Sequence, residues 1–276
     1  MPDFSSFSGW ALATILLFLI LALRYFLIGS LLHWIFYIRK HPKWQKRKIF
    51  QKDSTRNQLR RELKWSMVSS LIFALSGSLL FFLWQEGLTM IYLDVDGIGW
   101  LYLPLSLAIL LALNETYYYW LHRWMHQPGV YRIVHKVHHE SHITSPWTAF
   151  SFHPLEALLQ AVFLPVVVML LPVHPIVLII LLMIMTFSGF VNHLGYEIYP
   201  ENFKKHFLGK WLIGATHHAR HHRQFQNNYG LYFNFWDKWK KTEFPASLRV
   251  VRNNNRVPAE KDNRAKLFIV KPHAIR

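Results

Sequence analysis

The fold is decided by residues 157–196, which read ALLQAVFLPVVVMLLPVHPIVLIILLMIMTFSGFVNHLGY. These 40 residues contain no Asp, Glu, Lys or Arg, whereas about 20 apolar residues are enough for one helix to cross a bilayer. Pro172 and Pro175 interrupt the stretch, and proline ends one helix and favours the first turn of the next. The pattern therefore predicts a membrane hairpin over residues 155–192, with arms of roughly 17 residues that are about 25 Å long at helical rise.

Three further uncharged runs precede this stretch. They are Phe4–Leu23, Trp65–Gln85 and Gly97–Asn114, with 20, 21 and 18 residues, in a chain of 276 residues that is 52% apolar. The sequence predicts an all-α, polytopic membrane protein with about four to five apolar helices. We expect the first helix to run to about Gly29 and Leu31–Tyr37 to follow as an interfacial segment.

Positive charge indicates the topology. Arg39–Lys64 holds eleven Lys and Arg residues against Asp53 and Glu62, so the positive-inside rule places this loop in the cytoplasm, of a bacterial inner membrane or of the endoplasmic reticulum. Parity then puts the histidine-rich segments on the same side. The net charge of +16 is interpreted as attraction to anionic lipid, not to nucleic acid, because the basic residues lie between and after the apolar runs.

Without cysteine, any metal in this protein must be held by nitrogen and oxygen ligands, and histidine supplies the nitrogen. The chain has 17 His and no Cys, which excludes disulfides, thiolate metal sites and iron–sulfur clusters. Eight histidines fall in one HxxxH and two HxxHH motifs, spacings that place two or three imidazoles on one helix face: His122, His126; His135, His138, His139; His218, His221, His222. Eight imidazoles exceed the four ligands of one ion, so two metals are implied, and zinc, copper, iron and nickel all remain open.

The three motifs, in this order and around apolar hairpins, resemble those of the fatty acid hydroxylase superfamily, also called the sterol desaturase family, of membrane di-iron oxygenases. The likeness covers about Glu115–Thr242 and includes other short elements: Tyr118–Arg123, Phe152–Glu156, His193–Glu197, Asn228–Gly230 and Trp236–Asp237. The chain departs from the family pattern at Glu115, where Asp is usual, and at Lys240–Thr242, where Phe-Gly-Thr is usual.

The resemblance implies chemistry that the spacings alone leave open. It implies two iron ions, O2 as co-substrate and a lipid of sterol or fatty acyl type whose C–H bond is hydroxylated or desaturated, with no catalytic side chain beyond the metal ligands. It adds His193 to the ligand set. Candidates for metal contact or for orienting the ligands are His153, His217, Glu115, Glu197 and Asp237, with Glu140 and Glu156 as further carboxylates that could orient imidazoles.

The predicted organisation has three parts. Residues 1–114 form transmembrane helices and the basic loop, residues 115–243 form a catalytic domain with a histidine-rich helical metal region at the cytoplasmic face, and residues 244–276 form a basic tail. Neither a Gly-rich dinucleotide motif nor a Cys cluster is present, so we expect an external electron donor, a reductase with a cytochrome b5- or ferredoxin-like carrier. Its expected dock is a set of basic residues: Lys204, Lys205, Lys210, Lys238, Lys240 and Lys241.

Two alternatives remain open from the sequence. A carotenoid-type hydroxylase also binds its metals through histidine motifs, but these motifs usually have the wider spacing HxxxxH. A zinc transporter or sensor, from a different class, would place ionisable residues along a path through the membrane, and the uncharged runs hold almost none.

Overall fold

Helices account for all the regular structure in the computed structural model, which describes residues 3–244. Within these residues only isolated bridge pairs occur, such as Lys48 with Tyr196, and no strand forms. The all-α prediction is confirmed. The predicted basic tail, residues 244–276, lies outside the described residues except for Phe244.

Four helices are long: α1 (Phe7–His33), α3 (Arg56–Gln85), α4 (Tyr102–Met125) and α9 (Pro175–His193). The short helices are α2 (Pro42–Gln45), α5 (Pro128–Val134), α6 (Lys136–His139), α7 (Pro154–Ala161), α8 (Phe163–Leu170), α10 (Ala215–Gln224) and α11 (Phe235–Trp239). Two 3₁₀ turns, Pro146–Phe150 and Phe203–Lys205, and one π-helical turn, Trp34–Ile38, complete the helical elements of the described residues.

Three helices of the described residues are long and apolar enough to cross a membrane: Phe7–Ile38, Arg56–Gln85 and Pro175–His193. The shorter apolar segment Pro154–Leu170, formed by α7 and α8, is the first arm of the predicted hairpin. Helix α4 is apolar only in its first half, because Asn114, Glu115 and several tyrosines follow. The protein is therefore an all-α membrane protein with fewer full-length spans than the four to five apolar helices predicted.

The predicted end of the first helix near Gly29 is wrong. Helix α1 continues to His33 and passes directly into a π-helical turn, Trp34–Ile38. Glycine is tolerated inside a helix when something packs against it, and a Cβ at Gly29 would lie 2.9 Å from the Trp147 ring. Because Gly29 has no side chain, the Trp147 indole can pack against the helix, and the helix continues past Gly29.

The basic loop is also partly helical. Helix α3 begins at Arg56, capped by Thr55, whose hydroxyl accepts a hydrogen bond from the Gln58 N–H at 3.2 Å. The predicted proline break is confirmed: His174 caps α9 through Nδ1, which accepts from the Ile176 N–H at 3.2 Å, and Pro175 occupies the first turn.

A buried apolar cluster joins α4, α8 and α9, with Leu110, Val168 and Leu181 at its centre. Packing of α4 on α9 and of α9 on α10 brings the ends of three histidine-bearing helices together. The short α5–α6 segment adds the remaining histidines.

Candidate metal centre

Nine histidines converge into two groups. The ligand nitrogens within each group all lie within 4.8 Å of one another. The first group contains His122, His126, His135, His139 and His221, and the second contains His138, His193, His218 and His222. These nine are the eight box histidines and His193, the complete set of ligands predicted above.

Each HxxHH motif is divided between the two groups. His135 and His139, four residues apart, belong to the first group, and His138 belongs to the second. The third box reverses the pattern, since His218 and His222 enter the second group and His221 the first. Residues four apart lie nearly above one another on a helix, whereas adjacent residues point about 100° apart, so one motif serves two centres.

The first group has the dimensions of a metal site. Nε2 of His126 lies 3.1 Å from that of His221 and 3.2 Å from that of His139, and His139 lies 3.0 Å from His221. The fifth member, His135, has its Nε2 3.1 Å from that of His122. Nitrogens bound at about 2.1 Å to one ion are roughly 3.0 to 3.4 Å apart at angles between 90° and tetrahedral.

The second group has the same dimensions. Nε2 of His193 lies 2.9 Å from that of His218, 3.2 Å from that of His138 and 3.3 Å from that of His222. His218 and His222, one helical turn apart on α10, have their Nε2 atoms 3.2 Å apart. His193, at the end of α9, is in contact with all three other members of its group.

Main-chain carbonyls fix the tautomer of four rings. A carbonyl oxygen can only accept, so the Nδ1 facing it must carry the hydrogen, and Nε2 of the neutral ring then carries a lone pair. The four pairs are His122 with Tyr229 at 2.8 Å, His138 with Ser151 at 3.2 Å, His193 with Gly189 at 2.7 Å and His221 with Asn227 at 2.7 Å.

This tautomer assignment tests the fit to a metal. His138 and His193 direct two lone pairs at each other across 3.2 Å, so their Nε2 atoms cannot hydrogen-bond to each other. Burial and neighbouring imidazoles hold the pKa of His139 well below its usual range, and burial lowers the pKa of His126 to about 2, so the rings are neutral. Neutral imidazoles with converging lone pairs fit divalent cations, and the residues present therefore fit two metal ions.

One carboxylate stands directly behind the site. Glu156 Oε1 lies 2.9 Å from His135 Nδ1, and both side chains are fully buried. Helix α7 positions Glu156, starting at Pro154 with His153 as its cap, whose Nδ1 accepts from the Leu155 N–H. A carboxylate behind a ligating imidazole orients the ring and raises its basicity. The sequence signal was the Phe152–Glu156 element, but it did not single out Glu156 among five carboxylates.

Two of the other predicted carboxylates hold a loop. Glu115 accepts the backbone N–H groups of Leu231, Tyr232 and Phe233 at 3.0, 2.7 and 3.1 Å. Asp237 accepts the N–H of Tyr229 at 2.9 Å and that of the following glycine at 3.0 Å. Both carboxylates thereby fix the loop whose Tyr229 carbonyl orients His122.

The remaining candidates lie outside both groups. Glu197 accepts the N–H of Thr216 at 3.0 Å, in the first turn of α10, and so positions the helix that carries the third box. His217 is buried, with Nε2 3.7 Å from Asp237. His153 caps α7 as described, which is the role of a helix-start residue.

Comparison with known proteins identifies the family. Residues 107–242 match the family described as "Fatty acid hydroxylase", and this range includes all nine histidines. The chain belongs to the fatty acid hydroxylase superfamily. The resemblance read from Glu115–Thr242 is thus confirmed, with eight residues added at its start.

Curated relatives within this superfamily carry sterol-related names. The chain is similar to a Delta(7)-sterol 5(6)-desaturase of Gibberella zeae, with 30% identity over 73% of this chain and 58% of the relative. It is 29% identical to the lathosterol oxidase of Mus musculus over 78% of this chain and 68% of that protein. It is 33% identical to a Delta(7)-sterol 5(6)-desaturase of Aspergillus fumigatus over 66% of this chain and 62% of that one. The matches thus span roughly three fifths to two thirds of these relatives, and no solved structure gave a significant match.

Proposed function

We propose that this protein is a membrane-bound di-iron oxidase that uses O2 to hydroxylate or desaturate a C–H bond of a sterol-type lipid. The observation that carries the proposal is the division of nine imidazoles into two adjacent groups whose lone pairs converge. Family membership and the names of the relatives support iron and a sterol-type substrate. The proposed catalytic region is residues 115–243, on the cytoplasmic side of the membrane.

Bound iron would supply the electrons and the oxidising power for O2 activation, which no amino-acid side chain provides. The chain's own residues hold the metals and keep water away from them. Eight of the nine histidines are buried, and four are locked by main-chain carbonyls. When ionised, the Glu156 carboxylate behind His135 would favour a more highly charged ion in the first group.

A cavity of about 220 Å³ supports an apolar substrate. It lies between α4, α9 and the loops around Tyr199 and Tyr232, and apolar side chains predominate in its lining. Val191 and Asn192, the two residues before His193, form part of its wall, and Phe187 of the same wall is 61% exposed. In a membrane this exposed face of α9 would contact lipid tails, so the cavity offers a lipid a route from the bilayer towards the second group.

The test uses the full chain in lipid nanodiscs, loaded with ferrous iron, reduced and exposed to ¹⁸O2 with a Δ7-sterol or a fatty acyl lipid. Mass spectrometry separates a gain of ¹⁸O, which reports hydroxylation, from a loss of two hydrogens, which reports desaturation. We expect about two irons per chain and a sterol product. Failure to oxidise either lipid after reduction of a fully iron-loaded protein would contradict the proposal.

Matched variants tie the activity to the site. His139→Ala removes a ligand of the first group, whereas His142→Ala changes an exposed histidine three residues along the same segment. We expect His139→Ala to abolish product and lower bound iron, and His142→Ala to preserve both. Full activity with iron retained in His139→Ala would show that the reaction does not depend on the histidine groups.

The proposal requires an external electron donor. When an alcohol forms, each O2 takes two electrons from a donor in addition to the two electrons of the substrate's C–H bond. The chain has no Cys for an iron–sulfur cluster that could supply them. Product formation by the isolated chain with NADPH alone would remove the need for a separate carrier.

A further inference from the structure

The cavity beside α9 becomes more polar towards the second histidine group. Ile184, Ser188 and Asn192 line it and are spaced four residues apart, so they share one face of the helix. About 12 Å of helix separates Ile184 from Asn192 at the usual helical rise. His193, a member of the second group, follows Asn192 directly. Along α9, the polar end of the cavity wall is therefore the end next to the second group.

The side-chain carbonyl of Asn192 accepts no hydrogen bond from the described residues. Its Nδ2 donates to the main-chain carbonyl of Leu231 at 2.8 Å, which fixes the amide so that Oδ1 is directed elsewhere. Asn192 is only 2% exposed, and it lines the cavity. A buried acceptor without a donor costs free energy, so this oxygen requires a donor from whatever fills the cavity.

The hydroxyl of Ser188 is also available to a ligand. Helical Ser and Thr residues commonly donate to the carbonyl four residues earlier, and Thr186 on the same helix does so, with Leu182 at 2.7 Å. Ser188 makes no such bond with the described part of the chain and is half-buried in the cavity wall. A hydroxyl can donate to a ligand oxygen as well as accept from it.

The described lining of the cavity carries no charge. Neither acidic nor basic side chains are among these residues. The Tyr232 hydroxyl is already used within the protein, since it donates to Asn114 Oδ1 at 2.5 Å. Tyr199 adds a further hydroxyl from the loop after α9, with its ring stacked on Phe203 at 4.4 Å between ring centres. An uncharged wall offers no counter-ion to a carboxylate or a phosphate, whose burial without one is costly.

We propose that this cavity binds a neutral lipid alcohol with its hydroxyl end towards the second group, and that Asn192 Oδ1 accepts the hydrogen bond of that hydroxyl. The inference rests on the proposed function and defines its substrate by a hydrogen-bond donor. An acyl ester has no hydrogen to donate to Asn192, and a fatty acid carboxylate meets no cation in the lining. The apolar body of the lipid lies along Ile184 and the exposed Phe187, on the side of α9 that faces the bilayer.

Binding without turnover tests the orientation. The full iron-loaded chain in lipid nanodiscs is kept free of O2, and tritiated lathosterol, a Δ7-sterol with a free hydroxyl, is displaced by unlabelled competitors. These are lathosterol, its 3-ketone, octadecanol and stearate. The ketone has the same skeleton but no hydrogen to donate, so we expect it to bind about tenfold or more weakly than the alcohol. The stronger of the two alcohols shows whether a sterol or a linear alcohol supplies the hydroxyl.

Variants assign the preference to α9. Asn192→Leu keeps the approximate size of the side chain and removes the acceptor, so the preference for alcohol over ketone should fall to less than about threefold. Ser188→Ala covers the case in which loss of the bond to Leu231 prevents folding, and it should weaken binding of both competitors about threefold. Thr186→Val is the matched control, because its hydroxyl bonds within the helix, and it should leave binding within about twofold.

Three outcomes would overturn the inference. They are equal binding of lathosterol and its ketone to the wild-type protein, an unchanged preference in Asn192→Leu, or displacement by stearate as strong as displacement by the alcohols. Product formed in the presence of ¹⁸O2 does not depend on this preference. A protein that oxidises lipid without preferring the alcohol would contradict only the inference, and one that prefers the alcohol without oxidising it would contradict only the proposed function.

Discussion

Glu156→Gln tests whether the buried carboxylate of Glu156 strengthens metal binding by the first group. The substitution keeps the shape of the side chain and removes the acid group, 2.9 Å from His135 Nδ1, that can carry a negative charge when a metal ion is bound. Removing a partner behind a ligating histidine typically lowers metal affinity 10- to 100-fold. Because the Gln side chain would still fill the space behind the ring, we expect about tenfold for Gln and about 100-fold for Ala, or roughly 1.4 and 2.7 kcal/mol of binding free energy.

The assay is a competitive chelator titration of iron, accompanied by melting of the metal-free and metal-loaded protein. In the metal-free protein Glu156 is a fully buried acid with one oxygen lacking a hydrogen bond among the described residues. We therefore expect Glu156→Gln to leave the metal-free melting temperature unchanged or higher, and to lower that of the loaded protein. A residue with only a structural role would shift both in the same direction.

Glu140→Gln is the matched control, since Glu140 is half-buried and 3.5 Å from Arg61. It should leave iron affinity within about twofold, as expected for a surface ion pair. Wild-type iron affinity in Glu156→Gln would refute the reasoning, because it would mean that no negative charge stands behind His135.

Three further predictions concern the metal site and its supports. His193→Ala should remove about one of the two irons, measured by elemental analysis, while His174→Ala at the opposite end of α9 should retain both; retention of both irons in His193→Ala would contradict its place in the second group. Glu115→Ala orphans three backbone N–H groups and should cost about 3 kcal/mol or more of unfolding free energy, with a much smaller loss expected for Glu115→Asp. Burial holds the folded-state pKa of His139 and His222 below the unfolded value of about 6.5, so the metal-free protein should be most stable above pH 6.5 and lose stability as the pH falls below it; a flat melting profile from pH 7 to 5 would contradict this.

The sequence predicted several helices and the sharing of helix faces by histidines, because both depend on local properties of the chain. Apolar run length predicted α3 and α9, and the prolines at 172 and 175 predicted the break between the hairpin arms. The predicted end of α1 near Gly29 was wrong, because whether the helix continues there depends on what packs against it. Here the partner is Trp147, more than one hundred residues away.

The sequence proposed the nine histidines as ligands but did not predict how they divide into two groups. His193 stands alone in the sequence, and only the family resemblance pointed to it, whereas packing of α9 on α10 places it beside His218. The HxxHH spacing did not reveal that His138 and His139 belong to different groups. The carbonyl acceptors were invisible, because every residue has one and only the backbone path selects those of Tyr229 and Ser151.

The main-chain anchoring of four imidazoles has a consequence for how this protein tolerates change. Substituting Asn227 or Ser151 cannot delete the carbonyl that orients the ring, so point mutations there should be mild while the loop keeps its course. A one-residue insertion or deletion in the same loop would shift the carbonyl by more than an ångström and release the ring. The orientation of these rings therefore depends more on the length of the loops than on their composition. An engineer who wishes to alter the surrounding surface should exchange residues and leave their number unchanged.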